Sequence, residues 1–328
     1  MRSVYIRQFG SIDDLEIMQV PEPRSPRGSE VLVRVRAAGL NRADLLQARG
    51  HYPPPEGYSP NIPGLEFAGE IADTGDDVVD WKVGDRVFGI TAGEAQAEYL
   101  VIDQSLLTRI PEKLSFTKAA AVPEAFITAH DAVFALGKLV AGETLLIHAA
   151  GSGVGLAALQ LAKAKGAVVL GTSRTQDKLD RCVEFGLDVP ILAGPELDLS
   201  KTVAKHTAGH GADVILDLVG AAYFKQNLDS LATKGRLILV GLTGGATAEF
   251  NMGIVLQKRA AIIGTVLRAR PLDEKAEATR KFAEDVVPLL EAGEVRPNLD
   301  RVFPVEDAVE AYKYLASNES FGKVVLEF

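Results

Sequence analysis

The run Ala149-Ala150-Gly151-Ser152-Gly153-Val154-Gly155 constrains the fold more than any other stretch of this chain. It ends an apolar segment, Thr144-Leu145-Leu146-Ile147-His148-Ala149, and opens a segment from Gly155 to Lys165 that reads as a helix. Glycines at such a turn let the backbone bend tightly and approach an anion without Cβ collisions. The helix N-terminus then presents free N–H groups and partial positive charge, which suits a pyrophosphate. The pattern departs from G-x-G-x-x-G: aligned on Gly155 as third glycine, the first two positions are Ala150 and Ser152. A glycine run alone also fits a tight turn with no ligand, so the reading depends on the segments downstream of Gly155.

Those segments alternate. Ala167–Gly171 reads as a second strand, and Ser173–Phe185 as a second helix ended by Gly186. Asp213–Asp217, Arg236–Val240 and Ala261–Thr265 are further apolar strands with helical material between them. Apolar strands alternating with helices specify an α/β fold with a doubly wound parallel sheet of Rossmann type, here assigned to residues 123–266. Residues 1–122 are different. Val31-Leu32-Val33-Arg34-Val35-Arg36 alternates as a half-buried strand does, and short strand candidates at Phe67–Ile71 and Asp85–Gly89 are punctuated by Gly and Pro. This predicts a β-rich domain. Residues 267–328 hold a helical stretch over 273–292, a strand near Val302, another helix and a final strand over 323–328.

The end of the second strand selects the cofactor. An NAD site places an acid there, about 20 residues past the glycines, to hold the ribose 2′-hydroxyl. This chain reads Gly171-Thr172-Ser173-Arg174-Thr175-Gln176-Asp177-Lys178, with no acid at the strand end. Ser173, Arg174 and Lys178 are suited to clasp a 2′-phosphate, so NADPH is expected. In the competing reading Ser173 is an N-cap completed by Gln176, and Arg174 and Lys178 are a solvated face. The two are compatible.

Composition removes other classes. The 328 residues carry a net charge of −9 and no basic run, which opposes nucleic-acid binding. The single cysteine, Cys182, rules out an internal disulfide framework and cysteine-rich metal clusters. Thr144–Ala162 carries no formal charge, but His148, Ser152 and the glycines make it a strand, turn and buried helix rather than a membrane span. No signal peptide is read at the N-terminus, and a cytoplasmic protein is expected. Of the five histidines only His206 and His210 are spaced i,i+4, and Gly209 and Gly211 around His210 argue for a loop there rather than a metal site.

Other segments carry a family resemblance. Ala38-Gly39-Leu40-Asn41-Arg42-Ala43-Asp44, Pro63-Gly64-Leu65-Glu66-Phe67-Ala68-Gly69, Val83-Gly84-Asp85-Arg86-Val87, Gly264-Thr265-Val266-Leu267-Arg268 and Gly322-Lys323-Val324-Val325-Leu326 occur in order along the chain. They resemble the medium-chain dehydrogenase/reductase superfamily, and within it the zinc-independent, zeta-crystallin-like quinone oxidoreductase branch, with the p53-inducible group nearest. The resemblance implies a GroES-like catalytic domain in residues 1–122, completed by the return over 267–328. Zinc-dependent relatives place Cys where Asn41 stands and His where Leu65 stands. Neither residue here can act as those ligands do, so no metal site is expected.

The resemblance further implies a quinone or conjugated carbonyl acceptor in a cleft between domains, reduced by hydride without a Lewis acid. Asn41, Tyr52 and Thr128 are the candidate catalytic residues, the Asn41 amide polarising a carbonyl. Bland alternatives stand beside each: Asn41 as a turn residue, Tyr52 packed on its prolines, Thr128 as a buried hydroxyl. Cofactor contacts are assigned to Asn41, Thr128, Ala150, Gly151, Ser152, Gly153, Val154, Gly155, Ser173, Arg174 and Lys178. Backbone groups at the later strand ends, Gly241, Leu242, Thr265, Val266 and Leu267, join them, with Gly322 and Lys323. The phosphate-contacting Tyr that relatives carry is missing from Val189-Pro190-Ile191-Leu192-Ala193. A second enzymatic reading is an enone, alkenal or 2-enoyl-thioester reductase, with Arg42, Arg268 and Arg270 as a basic rim. A third is an NADPH-binding protein without turnover. Apolar residues over 251–266 near the sheet edge suggest a homodimer.

Overall fold

Two short strands, β1 (Arg2–Ile6) and β2 (Leu15–Gln19), pair antiparallel at the start of the chain. Strand β3 (Glu30–Gly39) buries Val31, Val33 and Val35, as their alternation predicts. β4 (Glu66–Thr74), β5 (Arg86–Ile90), β6 (Tyr99–Asp103) and β7 (Leu107–Arg109) come next. The parallel strands are β8 (Thr144–Ile147), β9 (Val168–Ser173), β10 (Val189–Leu192), β11 (Ala212–Asp217), β12 (Leu231–Leu239) and β13 (Ala261–Gly264). β14 (Leu299–Pro304) and β15 (Lys323–Glu327) close the chain.

The computed structural model describes residues 1–328 and divides into two units, residues 1–127 with 267–328, and residues 128–266. The passage between them falls inside the helix Pro123–His130, a few residues beyond the 122/123 boundary read from sequence, because that apolar helix continues unbroken. In the first unit a mixed sheet runs β14-β15-β3-β4-β5-β7, with β6 also paired to β3. Val33, Phe67, Val87 and Leu100 form its core. The second unit is one parallel sheet in the order β10-β9-β8-β11-β12-β13. Numbered from β8, this is the 3-2-1-4-5-6 doubly wound order, with its switch point between β8 and β11. Leu146, Leu170, Ile215 and Leu237, one from each of four neighbouring strands, form the core beneath it.

Three local readings change. Val189–Leu192 is a strand despite Pro190, because β10 is the sheet edge and Pro190 is exposed, where a missing N–H is tolerated. The second helix starts at Gln176 rather than Ser173; Ser173 ends β9 and Thr175 is the N-cap, so the proposed Ser173–Gln176 capping box does not form. The helical stretch 273–292 divides into Leu272–Asp285 and Val287–Ala292, with Pro288 in the first turn of the second helix, where its missing N–H is harmless. The segment Phe116–Leu136 is long and apolar enough to cross a membrane, yet 67% of its most apolar window is buried within the protein, as in a core helix.

Candidate active site

In residues 128–266 the glycine turn is built as its sequence predicts. The helix after β8 runs Gly153–Ala164, and Ser152 caps it, its hydroxyl accepting the Gly155 N–H at 3.1 Å. Ser152 thus stands in a glycine position and supplies a cap instead. Gly155 is obligatory: a Cβ there would lie 2.6 Å from the carbonyl oxygens of both Ala149 and Ala150. Ala150 in turn packs against Gly171 of β9, where an added Cβ would come within 2.9 Å of the Ala150 methyl. Gly151 is buried, whereas Ser152, Gly153 and Val154 are half-buried at the head of the helix, whose first N–H groups have no carbonyl in the preceding turn to bond. This turn fits the pyrophosphate of a dinucleotide.

Several of the other assigned positions lie at or just past the carboxyl ends of the parallel strands. Ser173 is buried at the end of β9, Arg174 is exposed, and Lys178 is half-buried one turn into the next helix. No acid occupies the β9 end. Gly241 lies just past β12, where a Cβ would fall 2.6 Å from the Leu218 carbonyl oxygen. Thr265 lies just past β13 and donates its N–H to the Leu239 carbonyl at 3.0 Å. Leu242 and Val266 are 55% and 54% exposed. Thr128 lies half-buried in the helix Pro123–His130. Leu267 is buried at the start of the return segment.

In the first unit the sheet register assembles a second constellation. β3 pairs with β4 so that Ala38 faces Phe67, and with β15 so that Gly39 faces Val325. Asn41, just past β3, is therefore brought to Glu66, the first residue of β4, and to Lys323, the first of β15. Asn41 is extended, with φ −131°, and caps the helix Arg42–Ala48; it is not a left-handed turn residue. Its backbone N–H donates to Asp44 Oδ2 at 2.7 Å, and Asp44 Oδ1 accepts the Gly64 N–H at 3.1 Å. Asp44 organises the turn in this way. Burial pushes its carboxyl up to about 6, against those N–H groups and the charge of Lys323.

The Asn41 amide is engaged at both ends. Nδ2 donates to Glu66 Oε1 at 2.9 Å, and Oδ1 accepts from Lys323 Nζ at 2.7 Å. Lys323 also donates to the Leu40 carbonyl at 2.7 Å and pairs with Glu66 Oε1 at 2.5 Å. The second Glu66 oxygen accepts the Glu124 backbone N–H at 2.8 Å. Glu66 is 0% exposed and Lys323 5%. The amide that sequence reasoning gave to an acceptor carbonyl, and the lysine it gave to the cofactor, are thus bonded to each other and to Glu66. Gly39 makes room: a Cβ there would fall 2.4 Å from the Glu66 carboxylate. The donor set does not fit a zinc ion. Leu65 is a buried apolar side chain, and the oxygens of Glu66 and Asn41 already bind an ammonium.

Tyr52 is half-buried, and burial raises its phenol above its ordinary value. The Arg268 guanidinium lies over its ring at 5.0 Å and donates to its carbonyl at 2.9 Å. Arg268 also bonds Ala92 O at 2.7 Å and Gln47 Oε1 at 2.5 Å, and is 4% exposed. Arg42 bonds Asn318 Oδ1. Arg268 is therefore a clasp for the proline-rich loop over residues 50–60, which carries Tyr52-Pro53-Pro54-Pro55, and not the open basic rim that a carrier phosphate needs. Sequence reasoning gave Glu124 no role. Its carboxyl is pushed up to about 8, first by burial and then by the Glu66 charge, with Lys323 opposing. The signal was an acid directly after Pro123 at the start of an apolar helix.

Residues 27–112 match the alcohol dehydrogenase GroES-like domain family, and residues 153–284 the zinc-binding dehydrogenase family. The chain is 33% identical over 316 residues to mouse quinone oxidoreductase-like protein 2, covering 95% of this chain and 88% of that one. It is 30% identical over 328 residues to human quinone oxidoreductase, covering 99% and 97%. Among solved structures, a quinone oxidoreductase from Pseudomonas syringae pv. Tomato superposes with TM-score 0.89 at 29% identity over 100% of this chain and 99% of that one. An NAD-dependent alcohol dehydrogenase gives 0.88 at 31% over 100% of both chains. A mycobacterial protein complexed with NADPH gives 0.89 at 26% over 100% of both, and the CurK enoyl reductase gives 0.86 at 27% over 99% and 98%. Fold, turn and relatives together define an oxidoreductase that uses a nicotinamide dinucleotide. The chain belongs to the quinone oxidoreductase branch of the medium-chain dehydrogenases/reductases.

Two outcomes are expected. Lys323→Met leaves Glu66 buried without its cation and lowers stability by about 3–5 kcal/mol in denaturant titration, and adding Glu66→Gln restores much of the loss. If the double variant is as unstable as the single, the pair is not the cause. For Glu124, the folded chain holds a proton to about pH 8 that the unfolded chain releases near 4.5. More protons are bound folded than unfolded in that window, so stability falls as pH rises through it. The denaturation midpoint drops between pH 5 and pH 8.5, and drops less in Glu124→Gln; equal drops would show that the carboxyl is not held protonated.

Proposed function

We propose that this protein is a metal-free, NADPH-dependent reductase of quinones. The observation that carries the reading is the Lys323 ammonium bound to both Glu66 and Asn41, which fills the place a Lewis acid would need. Oxidation of an unactivated alcohol needs that Lewis acid. A quinone or conjugated carbonyl is already electrophilic and needs only orientation and a hydrogen-bond donor. Its similarity to quinone oxidoreductases supports the quinone as acceptor. NADPH, when bound, supplies the hydride. Gly151–Gly155 would hold its pyrophosphate, and Ser173 and Arg174, with Lys178, its 2′-phosphate. The β9 end without an acid supports NADPH over NADH. Tyr52, clasped by Arg268, would wall the acceptor, with its phenol as the donor.

We also propose a homodimer formed along β13. Met252 and Leu256 on the preceding helix are 73% and 78% exposed, and β13 is an edge strand with half-buried Ile262 and Ile263. Exposed apolar groups beside unpaired backbone favour a second copy.

The test is oxidation of NADPH by benzoquinones and naphthoquinones, 2-alkenals and a crotonyl thioester, with and without a chelator. Turnover fastest with quinones and indifferent to chelation is expected. Preference for the enal or thioester would replace the quinone reading, loss of activity on chelation would replace the metal-free one, and NADPH binding without turnover would leave a binding protein. For the cofactor, Arg174→Ala with Lys178→Ala weakens NADPH by about 100-fold or more and leaves NADH within about twofold in equilibrium titration, since each of the two charge-assisted bonds contributes about 1.5–3 kcal/mol. Equal weakening of both would remove the 2′-phosphate assignment.

A further inference from the structure

Within residues 128–266 four buried polar side chains link the strand ends on either side of the switch point. His148 follows β8, Thr172 lies near the end of β9, Asp217 ends β11, and Asn227 belongs to the helix Ala221–Ser230. Asp217, Asn227 and His148 are each 0% exposed, and Thr172 is buried with them. Asp217 Oδ1 accepts the N–H groups of Val219 and Gly220, each at 2.8 Å, and Oδ2 accepts from Asn227 Nδ2 at 3.1 Å. A carboxylate takes only donors, so the Asn227 amide has one orientation. Its Oδ1 then faces His148 Nε2 at 2.6 Å, and that nitrogen carries the proton. Burial holds the imidazole below its ordinary pKa, so the ring is neutral, and Nδ1 accepts from the Thr172 hydroxyl at 3.0 Å. One face of the ring stacks on Tyr223, with centroids 4.2 Å apart. The imidazole is thus held at both nitrogens and on one face.

The hold matters because of the next residue. Ala149 has φ +52°, the left-handed region that a residue with a Cβ enters only at a cost. That conformation gives the glycine turn its direction. The Ala149 carbonyl accepts the Ser152 N–H at 2.9 Å, and the same oxygen lies where a Cβ on Gly155 would fall. Alanine has no polar side chain to offset its own strain, so its neighbours must impose it. Both neighbours are fixed by Thr172. His148 is held through its ring, and the Ala150 N–H donates to the Thr172 carbonyl at 3.0 Å. The His148 N–H is tied in turn to the Leu216 carbonyl of β11 at 3.0 Å.

We propose that His148 is a positioning residue for the dinucleotide: clamped between Asn227 and Thr172, it holds Ala149 left-handed and so keeps the turn Ala150–Gly155 in the shape that receives the pyrophosphate. The same chain holds the turn after β11, since Asp217 also fixes Val219 and Gly220, the latter at φ +88°. Without the clamp Ala149 relaxes. Each binding event must then restore the strained turn, and the apparent affinity falls with the fraction of molecules that still have it. The pyrophosphate is common to NADPH and NADH, so both are affected alike. The inference rests on the assignment of this turn to a nicotinamide dinucleotide.

Glycine at 149 provides the test, because it takes a left-handed backbone freely and makes the clamp unnecessary. His148→Phe, which keeps a stacked ring and loses both nitrogens, Ala149→Gly and the pair are titrated with NADPH and NADH, and thermal melts check the fold. His148→Phe is expected to weaken both cofactors by one common factor of about tenfold, the scale of the left-handed alanine penalty. Adding Ala149→Gly restores most of that loss, although on its own it shifts either affinity less than about threefold. Glycine cannot replace a lost hydrogen bond or tighten a loosened core, so a merely structural role for His148 gives no such rescue. Thr172→Val removes one side of the clamp, is expected to weaken both cofactors and to be rescued in the same way, and decides the matter should His148→Phe not fold. Loss of affinity without rescue, no loss in a folded variant, or weakening of NADPH alone overturns the proposal while leaving the cofactor site intact. If the unaltered protein binds neither cofactor, the assignment of the turn falls and the proposal with it.

Discussion

The buried pair between Glu66 and Lys323 is the constraint on which the first unit's chemistry depends. Two charges with almost no exposure sit where three strands meet, and neither tolerates loss of the other. Their geometry is over-determined. Lys323 spends all three protons, on Glu66, Asn41 and the Leu40 carbonyl, and Glu66 spends both oxygens. A network satisfied to that degree has one arrangement, which makes Asn41 a rigid part of the wall rather than an adaptable ligand. It also changes the chemical character of the site. A lysine on this spot keeps a positive charge beside the Asn41 amide and occupies the oxygens of Glu66 and Asn41.

The pair exists because of register. One residue of slip between β3 and β15 would turn Lys323 to the opposite face and leave Glu66 alone in the interior. Gly39 protects the same geometry from the side, since any Cβ there collides with the Glu66 carboxylate and the Ala120 carbonyl. Glu124 shows the consequence of a second acid close by. Its backbone N–H helps hold Glu66, while its own carboxyl, buried and subject to the Glu66 charge, keeps its proton beyond the ordinary range.

How legible this was in the sequence differs by element. The second unit was read almost whole, because its strands are apolar on both faces and separated by helices, and because Gly155 stands where only glycine fits. β10 was left out of the strand series: it is four residues long with a proline inside, a pattern that is a strand only at a sheet edge, and edge position is a tertiary fact. Ser173 escaped as a strand end because Ser with Gln three residues later is an equally good cap signal. In the first unit the residue types were legible and their partners were not. Asn41, Glu66 and Lys323 were all noticed, but their separations in sequence hide a contact that only the pairing of β3 with β4 and β15 creates. Arg268 was misplaced as a surface cation for the same reason, since nothing in Thr265–Arg270 says that the side chain turns inward to Gln47 and Ala92.

The two polar networks share a logic that neither shows alone. In each, a buried carboxylate, Glu66 or Asp217, accepts from backbone N–H groups and from the amide of an asparagine, and so decides which way that amide points. The consequence then travels outward. From Glu66 it ends at once, because Lys323 closes the circuit by bonding both carboxylate and amide. From Asp217 it runs through Asn227 to His148, whose other ring nitrogen meets the Thr172 hydroxyl. A closed network fixes a shape, whereas an open one fixes which nitrogen of the imidazole at its far end carries the proton.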